Sequence, residues 1–586
     1  MSTSLGSRRV ASALACAALV IVAACSGGGG SKAASTSSSA SGGAFGSPAP
    51  GGGDAVGAAY VPTGPLVADN GFRPEKDGFG FENYGASANK DMSPVEVRRI
   101  FGDAVCATVQ DGNCLLTPPA QQWMDQSNQI MSGGHCYGFS VAALQMFDGK
   151  VKQTPFGADT TVALPLPNND PLQREIAYSF IHQTFDSVQG AKVSGTPSQI
   201  LDKLIETLKA PKGTAELYTV AFFNRQGGGG HAVTAYGVED KGDNKFAILI
   251  YDNNYPNVTR AIQLDKTAET WSYQAATNPS EPSSLYEGDA NTKSLFLYPT
   301  SPGITQQPCP FCAPGGTGTA LGSGTGVQPV ALRSTTQAPA AADLYNEVAL
   351  EGSPGNHGHL VITDDQGHRA GIIDGKPVAE IPGVRTVTSF AASVWDEAEE
   401  PVYRIPLSVK FTISIDGSAL KTTDVTNVLM TGPGYDLAVD GIMLDPGQVD
   451  TLQLSSDGTH LSYTTTQSES PAIAIGVDGA GADHAFALKG VDVQGGGTIN
   501  ASIDSAAGTL TLSTSGTTTA GQYAMLMDLF TPTSEQVFVH DNIVLEPGDT
   551  ATLAFGEWKK DGDTISLTIA GPNGSPNTIQ LSDEGN

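Results

Sequence analysis

The sequence predicts a multidomain protein in which an α+β domain is followed by two all-β sandwich-like domains. Three observations carry this reading. At 586 residues the chain exceeds what a single hydrophobic core serves, so several units joined by linkers are expected. Between about 61 and 300 the helix signals come first and the strand signals after them. Beyond 342 the texture is almost wholly β, and a short pattern returns 101 residues after its first appearance.

Arg8 and Arg9 precede an apolar run over 10–24 that ends in Val22-Ala23-Ala24-Cys25 and passes at once into Ser26-Gly27-Gly28-Gly29-Gly30. About 15 apolar residues fall short of the ~20 that a bilayer crossing needs, so residues 1–25 read as a signal peptide. Its last four residues resemble the bacterial lipobox. That implies lipidation at Cys25 and an extracytoplasmic, membrane-anchored lipoprotein, the membrane being reached through the lipid. Residues 26–60, rich in Gly, Ser and Ala, read as a flexible tether. With 60 acidic against 31 basic residues the net charge is −29, which argues against nucleic acid or anionic lipid as a partner.

Within 61–300, Ser93-Pro94-Val95-Glu96 joins an N-cap, a proline at the first helical position and a capping-box glutamate, and Gly102 closes that helix. Asp170-Pro171 opens a second helix with Ile176, Phe180 and Ile181 on one face. Thr196-Pro197 opens a third, striped by Ile200, Leu201, Leu204, Ile205 and Leu208. After Gly213 the pattern turns to strands at 217–223, 231–238 and 246–251. Residues 301–342 read as a Pro/Gly/Thr linker. Beyond it, Leu444-Asp445-Pro446-Gly447 with Thr451-Leu452 recurs as Leu545-Glu546-Pro547-Gly548 with Thr552-Leu553. Each copy is followed by an Asp-Gly turn, Asp457-Gly458 and Asp561-Gly562. Two β-sandwich-like domains are therefore expected at 343–475 and 476–586.

Of seven cysteines, Cys16 lies in the expected signal peptide and Cys25 is the lipid site that the lipobox resemblance implies. In an oxidising compartment Cys106 and Cys114 could close a short loop and Cys309 and Cys312 a local bridge, although spacing alone does not fix the pairing. Cys136 is then the odd one out. It stands in Gly133-Gly134-His135-Cys136-Tyr137-Gly138-Phe139-Ser140, ahead of an apolar stretch, where a helix should begin. Helix N-termini favour thiolate over thiol. A nucleophilic cysteine needs a base and a group to orient that base. His135 is its chain neighbour, and successive helical side chains diverge by about 100°. His182 falls inside a helix and reads as a surface or core histidine. His231 follows Gly227-Gly228-Gly229-Gly230 and heads a strand. The next strand ends at Asp252, which a hairpin turning near 241–244 returns to the side of His231.

A cysteine opening a helix, a histidine heading a strand and an acid closing the next strand are carried by Gly134-His135-Cys136-Tyr137-Gly138, Gly230-His231-Ala232-Val233 and Tyr251-Asp252-Asn253-Asn254-Tyr255-Pro256. This order resembles the papain-like cysteine peptidase superfamily, in particular its bacterial Cys-His-Asp members, over about residues 61–299. The resemblance implies a papain-like α+β domain with Cys136 as nucleophile, His231 as general base and then acid, and Asp252 as orienter, with Asn253 and Asn254 as lesser candidates. It also implies an oxyanion hole made by the cysteine N–H and an upstream glutamine, for which Gln129 is the nearest candidate and Gln126 stands behind it. The implied activity is hydrolysis of peptide or amide bonds in a peptide or cell-surface polymer, through a cysteine acyl-enzyme and with no cofactor. A catalytically inert adhesion or binding lipoprotein, a cell-wall amidase and a transglutaminase-like acyl transferase are the alternatives. A zinc site from Cys309, Cys312, His357 and His359 lacks a second cysteine pair, so no metal site is expected. Trp395 and Trp558 read as core residues rather than sugar platforms.

Overall fold

A computed structural model of the chain describes residues 59–584, apart from 86–89, 224–229, 276–283, 314–343, 388–399, 517–519 and single positions at 354, 456, 480, 532, 561 and 573. Cys25, the expected signal peptide, nearly all of the tether, residues 314–342 of the expected linker and Trp395 therefore lie outside the described residues. The chain is mostly β, with a helix-bearing unit first and a two-sheet stack after it. Among the described residues no helix is long and apolar enough to cross a membrane.

Local signals set the first helices. Pro94–Phe101 begins with the Ser93/Glu96 capping box and stops at Gly102. Pro197–Leu208 begins with a second capping box, Thr196 with Gln199, and buries Ile200, Leu201, Leu204 and Leu208. Asp170–Ile181 is capped by the Asn169 side chain. The helix Cys136–Asp148 is buried on almost every side, packed between Asp170–Ile181 and the strands Tyr218–Phe223 and Gly230–Asp240. Gly138 allows that approach, since a Cβ there would stand 2.2 Å from the carbonyl oxygen of Ile176. The sheet is 9-stranded and antiparallel, and its centre runs Thr259–Asp265, Lys245–Tyr251, Gly230–Asp240, Tyr218–Phe223, Leu295–Pro299. Gly230–Asp240 is buried along nearly its whole length because one face meets the helix Cys136–Asp148 and the other a separate apolar cluster in which Val233 and Val238 meet the helix Pro197–Leu208.

The expected start of the linker at 301 needs correction. Cys309 and Phe311 are buried in the same cluster as Phe101 and Trp123, with the Phe311 ring 5.1 Å from Phe101 and 5.7 Å from Trp123. Residues 301–313 thus belong to the first unit. Their Pro/Gly-rich composition conceals two anchors, an aromatic ring and the Cys309–Cys312 disulfide.

The β region also differs from expectation. Instead of two sandwiches, one continuous pair of sheets, 9-stranded and 11-stranded, runs through both halves and encloses a single apolar core from Val348 to Leu581. The boundary expected at 475/476 falls inside the strand Ala472–Val477. That strand pairs back onto Tyr435–Leu444, while in the other sheet Thr498–Asp504 pairs back onto His460–Thr464. The chain lays one hairpin in the first sheet, crosses, lays the next in the second sheet and returns. Three such units start at Asp424, Ala472 and Gly521. The crossing out of the first sheet carries a positive-φ glycine each time, Gly447, Gly496 and Gly548. The turn in the second sheet carries another, Gly458, Gly508 and Gly562. The 101-residue sequence echo is therefore two steps of a roughly 50-residue structural repeat, none of which can bury its apolar face alone. Trp558 lies in this core against Phe538.

The first unit docks on the outer face of the 9-stranded sheet. Cross-strand register aligns Arg385, Arg404, Glu347, Thr431, Asp436, Gly476, Ala485 and Asp528 in one row on that face. At the basic end Arg385 and Arg404 each meet Asp186 at 2.9 Å, and Arg404 also donates to the Thr184 carbonyl. Further along, Gly476 leaves room for Pro118, the first residue of the helix Pro118–Ile130. Gln122 on that helix donates to the carbonyls of Met430 and Leu437.

Candidate active site

Cys136 is the first residue of its helix, with His135 as the N-cap. The loop before it reverses through Gly134, whose φ of 149° is open to glycine and strained for other residues. Asn83 fastens this loop from a distant segment. Its Oδ1 accepts from His135 N at 2.8 Å, its Nδ2 donates to Asn254 Oδ1 at 3.1 Å, and its own N–H donates to the Asn253 carbonyl at 2.9 Å. One buried amide thereby joins the start of the cysteine helix to the turn that follows the strand Lys245–Tyr251.

His231 and Asp252 meet across the hairpin, as Thr234 pairs with Tyr251 and the chain beyond runs back toward the strand start. His231 Nε2 lies 2.8 Å from Asp252 Oδ1. Cys136, His231 and Asp252 all have 0% exposure. Asp252 is held on every side: Oδ1 also accepts from Asn254 N at 2.9 Å, and Oδ2 accepts from the Tyr273 hydroxyl at 2.6 Å. Tyr273 in turn accepts from Arg260 Nε at 3.3 Å. With Nε2 committed to the carboxylate, Nδ1 faces away from it. Nδ1 makes no well-aligned hydrogen bond, yet the Cys136 side chain is the other group that acts on the ring. Contacts of this kind commonly tighten only when substrate binds.

The electrostatics favour an ion pair. Burial alone would push the His231 imidazole down, but the Asp252 carboxylate and the Cys136 side chain outweigh it and raise the pKa to about 10. Burial likewise works against the Asp252 carboxylate, and His231, Tyr273 and the Asn254 N–H overcome it, holding its pKa below the ordinary value. Both shifts point the same way, toward an imidazolium lying against a carboxylate.

Asn253 plays a different part from that of orienter. Its Nδ2 donates to the Cys136 carbonyl at 3.1 Å and to the Ala232 carbonyl at 2.9 Å, so it ties the cysteine helix to the histidine strand. His135 is turned elsewhere, with Nδ1 at 2.8 Å from the Tyr84 carbonyl and Nε2 at 2.9 Å from Asp91 Oδ1. His182 is a core histidine whose pKa is lowered to about 3, by burial first and then by Arg99. Cys106 is bonded to Cys114 and Cys309 to Cys312, which leaves Cys136 outside both disulfides.

Gln129 is exposed near the end of Pro118–Ile130, apart from the buried hydrogen-bond network of the triad. Gln126 is buried one helical turn from Gln122, and its Nε2 makes no hydrogen bond. Sequence reasoning missed Asn83, Tyr273 and Arg260. The alternation Trp271, Tyr273, Ala275 marked a strand with an inward-facing hydroxyl, whereas Asn83 gave no local signal.

A thiol at a helix start, an imidazole on a strand and a carboxylate just past the end of the next strand are thus brought together in one buried place. The chain matches no protein-family model, no curated protein and no solved structure.

Proposed function

We propose that the chain is a papain-like thiol hydrolase, carried on a surface-anchored lipoprotein, that cleaves peptide or amide bonds through an acyl-enzyme at Cys136. The observation that carries this reading is the 2.8 Å contact between His231 Nε2 and Asp252 Oδ1, fully buried beside Cys136, which among the described residues is the one cysteine outside a disulfide. In the reaction the sulfur attacks the scissile carbonyl, and the oxyanion leans on the N–H groups at the helix start. His231 gives its proton to the departing amine and the C–N bond breaks. A water molecule then attacks the thioester while His231 takes its proton, which releases the acid and restores the thiol. Asp252 keeps the ring in one orientation throughout, and Tyr273 and Arg260 keep Asp252 in place.

The trailing sandwich serves in this reading to bind or present a peptide or cell-surface polymer. A second reading, an inert peptidase-like binding lipoprotein, is favoured by one observation, the 0% exposure of Cys136. Comparing wild type with Cys136→Ala on peptide, cell-wall and acyl-transfer substrates separates the readings. Turnover that the substitution abolishes supports the hydrolase, and its substrate separates peptidase from wall amidase or acyl transferase. Absence of turnover on all three, with partner binding unchanged by Cys136→Ala, supports the inert module.

A further inference from the structure

Far from the triad, at the start of the sandwich, the two sheets bring His357, His359 and Glu400 together. His359 opens the strand His359–Asp364 of the 11-stranded sheet, and Glu400 precedes the strand Val402–Pro406 of the 9-stranded sheet. One donor atom from each residue lies within 4.8 Å of the other two. His357 and Glu400 are buried, and His359 keeps a modest opening to solvent.

The surroundings are arranged as metal ligands require. Glu400 Oε1 accepts from Leu360 N at 3.0 Å and from the Tyr403 hydroxyl at 2.9 Å, which fixes the carboxylate and aims Oε2 at His359 Nδ1, 2.9 Å away. His357 Nδ1 lies 2.9 Å from the Gly358 carbonyl, so that nitrogen carries the hydrogen and Nε2 is the ligating one. A ring N–H held by a carbonyl and a carboxylate held by two donors are the outer contacts that orient ligands around a metal. Packing leaves little slack behind the site, since a Cβ at Gly352 would stand 2.9 Å from the Cβ of His357 and 2.6 Å from Asp424 Oδ2.

We propose that His357, His359 and Glu400 bind one divalent transition-metal ion of the Zn²⁺ class and so clip the two sheets of the sandwich together. Two imidazoles and a carboxylate suit Zn²⁺ and its neighbours, whereas Ca²⁺ and Mg²⁺ call for all-oxygen shells. The ion replaces the proton between His359 Nδ1 and Glu400 Oε2, and that proton passes to solvent. Two ligands at about 2.0–2.1 Å from a tetrahedral ion stand about 3.3 Å apart, a small widening of the present 2.9 Å contact. Water fills the fourth position on the open side of His359.

The test uses the untagged full chain carrying Cys16→Ser, Cys25→Ser and Cys136→Ser, which removes the thiols outside the two disulfides as competing ligands, stripped by a chelator and titrated with Zn²⁺ by calorimetry. The expected result is one ion per chain, undisturbed by excess Ca²⁺ or Mg²⁺, lost in His359→Ala and Glu400→Gln. In Tyr403→Phe, which removes only an outer contact, binding should weaken by about 10- to 100-fold. Circular dichroism establishes that each variant is folded, and if a ligand variant is not, Tyr403→Phe and the Co²⁺ absorption spectrum of the parent chain decide. Absence of binding, or binding left unchanged by these substitutions, would overturn the proposal.

Discussion

Replacing Asp436 with asparagine should make the protein more stable at neutral and alkaline pH. Asp436 is 2% exposed, lies against Pro118 at the docking face and has a carboxylate oxygen with no hydrogen-bond partner. Proline has no N–H to offer it. Burial raises its pKa from 3.8 to about 7. For an acid whose folded pKa is raised, stability is fully present below pH 3.8 and is lost as pH rises through about 7. About three pKa units at ~1.4 kcal/mol each set a ceiling of about 4 kcal/mol on the loss, and relaxation of the site lowers it, so a gain of about 2–4 kcal/mol at pH ~8 is expected. For a unit of this size that is a rise of about 5–10 °C in Tm by scanning calorimetry, shrinking toward zero at pH ~4. An unchanged or lowered Tm at pH ~8, or an equal gain at both pH values, would refute the argument from charge.

Other expectations concern the site. Asp252→Asn should keep the fold and lower kcat/KM by at least about 10²-fold, because the imidazolium loses its counter-charge; steady-state kinetics on whichever of the peptide, cell-wall and acyl-transfer substrates the wild type turns over checks this. Tyr273→Phe should cost about tenfold or more in kcat/KM, the loss of one hydrogen bond to a carboxylate worth about 1.5–3 kcal/mol, with KM little moved. Asn253→Ala removes the donor shared by the Cys136 and Ala232 carbonyls and so unties the cysteine helix from the histidine strand, which should lower stability by about 1–3 kcal/mol, read in urea unfolding. Because the His231 pKa is raised from 6.5 to about 10, the stability it contributes is full below pH 6.5 and lost as pH rises through about 10. His231→Gln should therefore flatten the alkaline limb of the stability profile.

What the sequence disclosed depended on how local each cause was. Ser93 with Glu96 and Thr196 with Gln199 are readable because a capping box needs only four consecutive residues. The nearness of Asp252 to His231 is readable because a hairpin converts short sequence spacing into register. Asn83 reaches His135 across 52 residues through tertiary packing, which no pattern announces. Proximity in sequence points to Gln129, whereas the rotation of its helix is set by the docking of Gln122 on the sandwich, which no local pattern announces. The middle copy of the β repeat was hidden because Gln494-Gly495-Gly496 keeps the positive-φ glycine while dropping the acid and the proline. Glu400 stands 41 residues from His359, so the three-ligand cluster emerges only when the two sheets face each other.

The central claim, that Cys136 and His231 form a reactive pair, is tested most directly by the pH dependence of Cys136 alkylation by iodoacetamide, followed by mass spectrometry in wild type and His231→Ala. The account predicts fast modification of wild type with a nearly flat rate between about pH 6 and 9, and a slow rate climbing with pH in the variant. Slow modification of wild type that climbs with pH as an ordinary thiol does, and that His231→Ala leaves unchanged, would contradict it.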